Sequence, residues 1–300
     1  MAPITRLRVD GGRCLLTSPF AALVRETARN AGVEPRALAV RALLHLPRVA
    51  SCNGWVSGSQ LQRELKTSAE ELRVDVRDAA AHVPVEEFPL RDLCFEEIDS
   101  SRALPILTSL HYLRSARPHT KVRYLALVDP IGRLPVSLCS ISPLQWKRVG
   151  SRISAHFDIP GERVWDITRV YSVDNAPRNA ISLLLSKVRT FVRRNIVAVD
   201  LLLTVVDPNL GFTGSSYRAA NWHQWMTVSA RPYLYENGRY VTPRQLRERF
   251  GAVRFDKLQE IYPGRFEKSR VRLLDSMIYC SSINEPTRFV PDHDRPRLRR

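Results

Sequence analysis

Asp207 closes the apolar run Val199–Val206 and stands before Pro208, at the carboxyl end of a strand-like segment where an open sheet exposes its working groups. A carboxylate there can accept a proton, orient an attacking amine, help bind a cation, or simply cap the turn. Arg169 lies inside the apolar run Val164–Tyr171. A buried guanidinium is costly without a partner, so it must meet Asp166, Asp207, or a ligand phosphate or carboxylate. His111 and Tyr112 offer a second base and a stacking ring, although a histidine without metal-spaced neighbours is also a common structural residue. Asp207 and His111 are two candidate ligands for iron or another cation, too few to define a metal site. The helix expected from Asn179 presents free N–H groups and a favourable dipole at its start, so Arg178, Asn179 and Ser182 could line an anion site; a plainly capped helix fits the same residues.

A second constellation is larger. Trp222, Trp225, Tyr233, Tyr235 and Tyr240 interleave with Arg218, Arg231, Arg239 and Arg244, the composition of a surface that stacks on bases and grips phosphate. Strand alternation would instead send half of these rings into the core. The charge balance favours a phosphate-bearing partner. Lys and Arg number 46 against 30 Asp and Glu, a net charge of +16 with a sequence pI near 10.2. Residues 1–100 carry 13 basic and 14 acidic side chains, so the whole surplus follows residue 100. Of the basic residues 40 are Arg, the side chain that binds phosphate bidentately. A GC-rich genome would also raise Arg over Lys, but would not remove acidic residues. No apolar run is long enough to span a bilayer and the start lacks the segments of a signal peptide, so a cytoplasmic protein with no membrane partner is expected. The five cysteines are far apart and without C-x-x-C spacing, which suggests buried thiols and not a disulfide framework or zinc site.

The elements that must position these residues divide the chain. Residues 1–100 read as a near-neutral helical domain or extension of unassigned role. Ser18-Pro19 starts one helix that Gly32 stops, a second runs from about Glu34 to Leu46, and Ser68 with Glu71 makes a capping box for a third, after a loop at 53–58. Residues 101–290 change character: a short helical stretch at 103–113, a hairpin of Val122–Val128 and Leu134–Ile141 through Asp129–Gly132, a strand at Val164–Tyr171, a helix at Asn179–Arg194, and a buried strand at Val199–Val206. A short helix within 209–220, a strand near 224–229, an Asn237-Gly238 hairpin and a helix from Thr242-Pro243 to Gly251 follow. Residues 291–300 form a basic tail, with 295–300 a mobile arm. The order is that of an α+β fold, a mixed central sheet flanked by helices.

Five motifs in order carry a resemblance: His111-Tyr112-Leu113-Arg114; Asp166-Ile167-Thr168-Arg169-Val170; Asn175 with Asn179-Ala180-Ile181-Ser182; Val206-Asp207-Pro208; and Gly211 through Trp222, which includes Tyr217 and Asn221. Over residues 105–240 this is similar to the phage Mom DNA-modification family, outlying relatives of the GNAT acyltransferases. The resemblance implies a GNAT-like core with an acyl donor lying between the strands at 164–171 and 199–206. It also implies Asp207, Tyr217 and His111 as catalytic groups, with Tyr217 able to protonate a leaving thiolate or alkoxide. Arg169, Arg178, Asn179, Ser182, Tyr112 and Asn221 would then bind donor or substrate, while the aromatic and basic composition described above points to Arg218, Trp222, Arg231, Arg239 and Arg244 as nucleic-acid-binding. The segment 175–182 lacks the glycines of the GNAT loop Q/R-x-x-G-x-G/A, a departure at the pyrophosphate site. The expected function is transfer of an acyl-type group to an amine, with nucleic acid either as acceptor, through adenine in DNA, or as donor carrier in aminoacyl-tRNA. The rival readings are an acyl-CoA-dependent enzyme acting on a small amine and a non-enzymatic nucleic-acid-binding protein.

Overall fold

The computed structural model describes residues 3–6, 9–10, 13–14, 18–115, 121–284 and 297–298. Three short strands, β1 (Pro3–Arg6), β2 (Val9–Asp10) and β3 (Arg13–Cys14), precede helix α1 (Ser18–Ala31). Gly32, at φ +65°, stops that helix as expected. Helix α2 (Pro35–Val49) starts on Glu34, whose carboxylate accepts from the Ala37 N–H at 2.8 Å, and it continues through Pro47 beyond its expected end. Strand β4 (Trp55–Ser57) pairs with β1, and α3 (Gly58–Ala79) follows at once. The capping box is Ser57 with Gln60, not Ser68 with Glu71. Both pairs fit the same local pattern; Ser68 is buried in the middle of α3, where it can cap nothing.

Strand β5 (Cys94–Ile98), helix α4 (Ser100–Ser109) and strands β6 (Arg123–Val128) and β7 (Pro135–Pro143) open the main sheet. The β6–β7 turn is fixed by Asp129, whose carboxylate accepts from the N–H groups of Ile131, Gly132 and Leu134 at 2.6–2.8 Å. Helix α5 (Lys147–Phe157), not anticipated, precedes β8 (Val164–Ser172), α6 (Ala180–Asn195) and β9 (Leu201–Val206). Helix α7 (Ser215–Ala219) leads to β10 (His223–Val228). An insertion then carries β11 (Leu234–Glu236), β12 (Arg239–Val241), α8 (Pro243–Phe250), α9 (Phe255–Ile261) and β13 (Phe266–Lys268). Strand β14 (Ser276–Ser282) returns to the sheet, and β15 (Arg297–Leu298) adds an edge.

The sheet order is β15-β10-β14-β9-β8-β7-β6-β5. Pairings are antiparallel except β8 with β9 and β10 with β15. The chain thus adopts the expected α+β class, a mixed sheet flanked by helices. Strand alternation divides its core: Leu125, Leu127 and Leu202 pack with Leu184, Leu185 and Val188 of α6, whereas Ala126 and Val128 face Ile106 and Leu107 of α4, and Leu201 and Leu203 face Val149 and Ile153 of α5. The helices α1, α2 and α3 pack against Leu210, Tyr233 and Tyr235, so the near-neutral N-terminal region shares a core with the basic one. Arg297 and Leu298, expected in a mobile arm, are held by pairing with β10 and by a 2.5 Å contact from Arg297 to Asp275; the remainder of 291–300 lies outside the described residues. Cys139 and Cys280 are buried, but Cys52 is exposed, against expectation.

Candidate active site

Strands β8 and β9 pair over only four residues, Val164–Ile167 with Leu201–Thr204. Beyond them β8 continues to Ser172 on β7 alone and β9 to Val206 on β14 alone, so the two strands part. Thr204 stands at the fork: its hydroxyl donates to the Ile167 carbonyl at 3.1 Å and lies 3.4 Å from the Tyr217 hydroxyl. Two cavities, of about 1080 and 520 Å³, flank the fork, and Tyr112 lines both.

The smaller cavity contains the start of α6. Asn179 holds φ +69° with no side-chain cap, Ala180 N–H reaches Pro177, and among the described residues the N–H groups of Ile181 and Ser182 have no acceptor. Asn179 therefore supplies the left-handed turn that a glycine would usually provide, and the unanswered donors suit an anion. Exposed Arg178 lies on the same wall. Ser182 gives its own proton to the Ser216 carbonyl at 3.2 Å, tying α6 to α7. From the opposite side α2 contributes Glu34, Arg36, Val40 and Arg41. His111, 4% exposed, accepts the Leu113 N–H at Nδ1 over 3.2 Å. Burial, and after it the charge of Arg169, hold this imidazole well below its ordinary pKa. It is neutral near pH 7, and with Nδ1 occupied its proton belongs on Nε2. The expected second base is, in this arrangement, a hydrogen-bond donor.

The larger cavity contains Asp207. Oδ1 accepts from the backbone N–H of Asn209 at 2.9 Å and from its Nδ2 at 2.7 Å, and Oδ2 accepts from the Tyr233 hydroxyl at 2.5 Å. Asn209 in turn exchanges hydrogen bonds with the Leu274 backbone, so the end of β9 is locked to the segment entering β14. The turn-capping role and a half-buried position on the cavity wall coexist in the one carboxylate. Burial first, then the nearby Asp207, push the Tyr112 and Tyr233 hydroxyls upward, so both remain protonated. Arg169 lines this cavity and donates to the Ser115 carbonyl at 3.0 Å, to Ser115 Oγ at 3.1 Å and to the Thr168 carbonyl at 2.6 Å. Of its two expected acidic partners, Asp166 accepts from Ser142 at 3.0 Å and Asp207 is held as described. Arg231 is exposed on the cavity rim.

Several expected residues line neither cavity: Tyr217, Arg218, Asn221, Trp222, Arg239 and Arg244. Tyr217 reaches the fork only through Thr204, and burial raises its hydroxyl to about 12. Asn221 holds the φ +59° turn after α7. Trp222 and Trp225 are 2% and 1% exposed and Tyr235 is fully buried, so these rings are core and not a stacking surface. Each falls in a different core cluster, Trp222 with α6, Trp225 with α5 and Tyr235 with the N-terminal helices, so cores on several sides bury them all. Arg218 bonds Thr213 and Tyr279, Arg239 approaches Glu71 at 3.9 Å, and Arg244 pairs with Glu248. Residues not anticipated are Thr204, a hydroxyl in an otherwise apolar run and thus a readable signal, and Trp146 and Phe255, brought in by helices α5 and α9. Among the described residues no group of three His, Cys, Asp or Glu side chains is placed to hold a metal ion, and no helix is long and apolar enough to cross a membrane.

Comparison with known proteins yields one family, the Mom protein family, whose model matches residues 92–277. No curated protein matches the chain. Similar solved structures include Arabidopsis thaliana NAA60 in complex with acetyl-CoA, at 15% identity over 64% of this chain and 99% of that one, with a TM-score of 0.42. Spermidine/spermine N-acetyltransferase SpeG from Vibrio cholerae aligns at 8% identity over 64% and 94%, TM-score 0.38. The ribosomal-protein-S5-alanine acetyltransferase from Vibrio fischeri aligns at 8% over 69% and 100%, TM-score 0.37. The family model spans well over half of the chain and includes the fork, His111, Tyr112 and Asp207: this protein belongs to the Mom protein family.

Proposed function

We propose that the protein transfers an acyl-type group from a phosphate-bearing donor in the smaller cavity to an amine entering from the larger one, and that this amine belongs to a nucleic-acid base, adenine in DNA. The observation that carries this reading is the meeting of two cavities at Tyr112, beside the point where β8 and β9 part. The smaller cavity suits the phosphates of an acyl-CoA or a tRNA end, through Arg178 and the N–H groups of Ile181 and Ser182. Beyond Ile167 one edge of β8 has no strand partner, so its outward N–H groups can polarise a donor carbonyl. Asp207 takes the proton of the attacking amine as the new carbon–nitrogen bond forms. Tyr217 through Thr204 supplies a proton to the departing thiolate or alkoxide as its bond to the carbonyl carbon breaks, and the neutral His111 Nε2–H can steady that group with a hydrogen bond. Arg169 and Arg231, with the net positive charge, favour a phosphodiester backbone near the mouth of the larger cavity.

A second reading has aminoacyl-tRNA as the donor. Glu34 and Asp174, two carboxylates on the smaller cavity, favour it because they would suit the ammonium of an aminoacyl group. Both readings meet one experiment: mass spectrometry of nucleosides and small amides from cells expressing the wild type or Asp207→Asn. A new adenine derivative made only by the wild type supports the first. Amides made only by the wild type, without a modified nucleoside, support a small amine as acceptor, and donor dependence in vitro then separates acyl-CoA from aminoacyl-tRNA. Equal product from both proteins removes Asp207 from the mechanism. DNA binding with steep salt dependence, no product and no stabilisation by any donor would make the protein a non-enzymatic binding module.

A further inference from the structure

Helices α2 and α3 precede the family-matched segment, yet they grip the turn that bears His111 and Tyr112. Glu71 and Asp75 stand one turn apart on α3 and collect arginines from three other elements. Arg41 of α2 meets Asp75 at 2.5 Å and donates to the Ser109 carbonyl, at the end of α4, at 2.9 Å. Arg114, in the turn after α4, meets Glu71 at 3.1 Å and also pairs with Asp75. Arg239 of β12 approaches Glu71 from outside at 3.9 Å. Arg41 and Asp75 are 5% and 7% exposed. Desolvation largely cancels the attraction within such a buried pair, so net stability is a weak reason for it, whereas a fixed geometry is a direct consequence.

That geometry extends to the ring between the cavities. Arg114 holds φ +44°, a backbone conformation rare for a residue with a side chain, and its N–H closes a turn on the His111 carbonyl at 2.8 Å. The following residue, Ser115, is gripped by Arg169 at two atoms. His111 and Tyr112 are therefore strung between an anchor on α3 and an anchor on β8. Tyr112 stacks on His111 with centroids 4.4 Å apart and packs on Phe212 at 5.5 Å.

We propose that Asp75 is a positioning residue: through Arg114 and Arg41 it fixes the turn at 109–115 so that the Tyr112 ring stands between donor and acceptor cavities. The N-terminal helices thereby act on transfer without touching either substrate at Asp75. The consequence for transfer rests on the two-cavity reading above, but the placement of the ring is measurable without it.

The experiment uses the full chain labelled with 3-fluorotyrosine, the Tyr112 fluorine resonance being assigned from Tyr112→Phe. Asp75→Asn is expected to shift, split or broaden that resonance while the Tyr124 resonance of the β6 core stays in place. Glu64→Gln, on α3 like Asp75, breaks a 2.9 Å pair with Arg48 of α2 and should leave Tyr112 unmoved. Turnover of Asp75→Asn should fall by about tenfold or more, with donor KM within about twofold, the pattern of a misplaced group and not of a lost binding contact. Should Asp75→Asn fail to fold, Arg114→Ala at its more exposed site carries the same criteria, and Arg114→Lys should restore part of the wild-type signal. A folded Asp75→Asn or Arg114→Ala protein with a single, unmoved Tyr112 resonance overturns the proposal. If the wild type transfers nothing to any acceptor, the two-cavity reading fails, and the fluorine spectrum alone still decides whether Asp75 places the ring.

Discussion

Tyr233 donates its hydroxyl to Asp207 Oδ2 across 2.5 Å, joining the end of β9 to the insertion that follows β10. This bond holds the carboxylate against the wall of the larger cavity while Asn209 holds its other oxygen. Tyr233→Phe keeps the ring and removes only the donor. Stability should fall by about 1.5 to 3 kcal/mol, the range for a hydrogen bond to a carboxylate. Turnover should fall further than that loss explains, because Asp207 is then held at Oδ1 alone and its Oδ2 can turn from its place. Urea melts and product formation measured on one preparation test both; unchanged turnover would show that Asp207 needs no fixed orientation.

The protonation of His111 makes a pH prediction. Its folded pKa lies well below 6.5 through burial and, second, Arg169. The unfolded imidazole binds a proton near pH 6.5 and the folded one does not. Stability from this group is therefore complete above pH 6.5 and is lost as pH falls toward the folded value, by up to about 1.4 kcal/mol per pH unit. Asp174 opposes it. Partial desolvation, then Glu34, raise that carboxyl to about 6, so its contribution is complete below about pH 4 and is lost as pH rises through 6, and it is the smaller of the two because Asp174 is exposed to solvent screening. Thermal melts should show His111→Gln flattening the decline between pH 7 and 5, and Asp174→Asn steepening it.

Gly214 sits at φ +70°, and a Cβ there would overlap the Tyr279 ring. Tyr279 stacks on Tyr217 at 5.6 Å and accepts from Arg218 at 2.8 Å. Gly214→Ala should cost about 2 to 3 kcal/mol through overpacking and backbone strain. It should also displace Tyr217 from Thr204. A variant with wild-type stability would mean that the α7 segment shifts freely.

Asn179 tests whether backbone or side chain would make the anion site proposed at the start of α6. Its side chain caps nothing and its φ is +69°. Asn179→Gly should preserve donor affinity, whereas Asn179→Ala should lose about 1 kcal/mol of stability from the left-handed conformation alone. Isothermal titration with donor analogues measures the affinity; a large loss in Asn179→Gly would assign the contact to the side-chain amide.

Local chemistry determined what the sequence could determine by itself. Glu34 and Ser18-Pro19 start helices, Gly32 and Gly251 end them, Asp129 ties its own hairpin, and Asn237-Gly238 turns the chain with φ +50° and +75°. The run at Leu201–Val206 is buried on both faces of its strand at Leu201, Leu202 and Leu203, as its apolar character implies, with Thr204 its one polar residue and Val205 exposed near its end. Each feature depends on neighbours a few residues away. The capping pattern shows the limit: Ser57 and Ser68 both satisfy it, and only the packing of α3 chose Ser57.

Tertiary structure decided the rest because it depends on distant partners. Strand β14 inserts between β9 and β10 although 47 residues separate Val228 from Ser276 in numbering alone, including a segment with its own small core. The burial of the aromatic rings followed from helices covering both faces of that sheet: Trp222 packs in the core on the α6 side and Trp225 in the core on the α5 side, while Tyr233 reached Asp207. The cavities draw on side chains from Glu34 to Arg297, and no spacing rule connects residues so far apart. The near-neutral first hundred residues show no chemistry as a string. Folded, they place Arg41 and Asp75 behind the turn that carries Tyr112, because burial brings charges together that the chain keeps far apart.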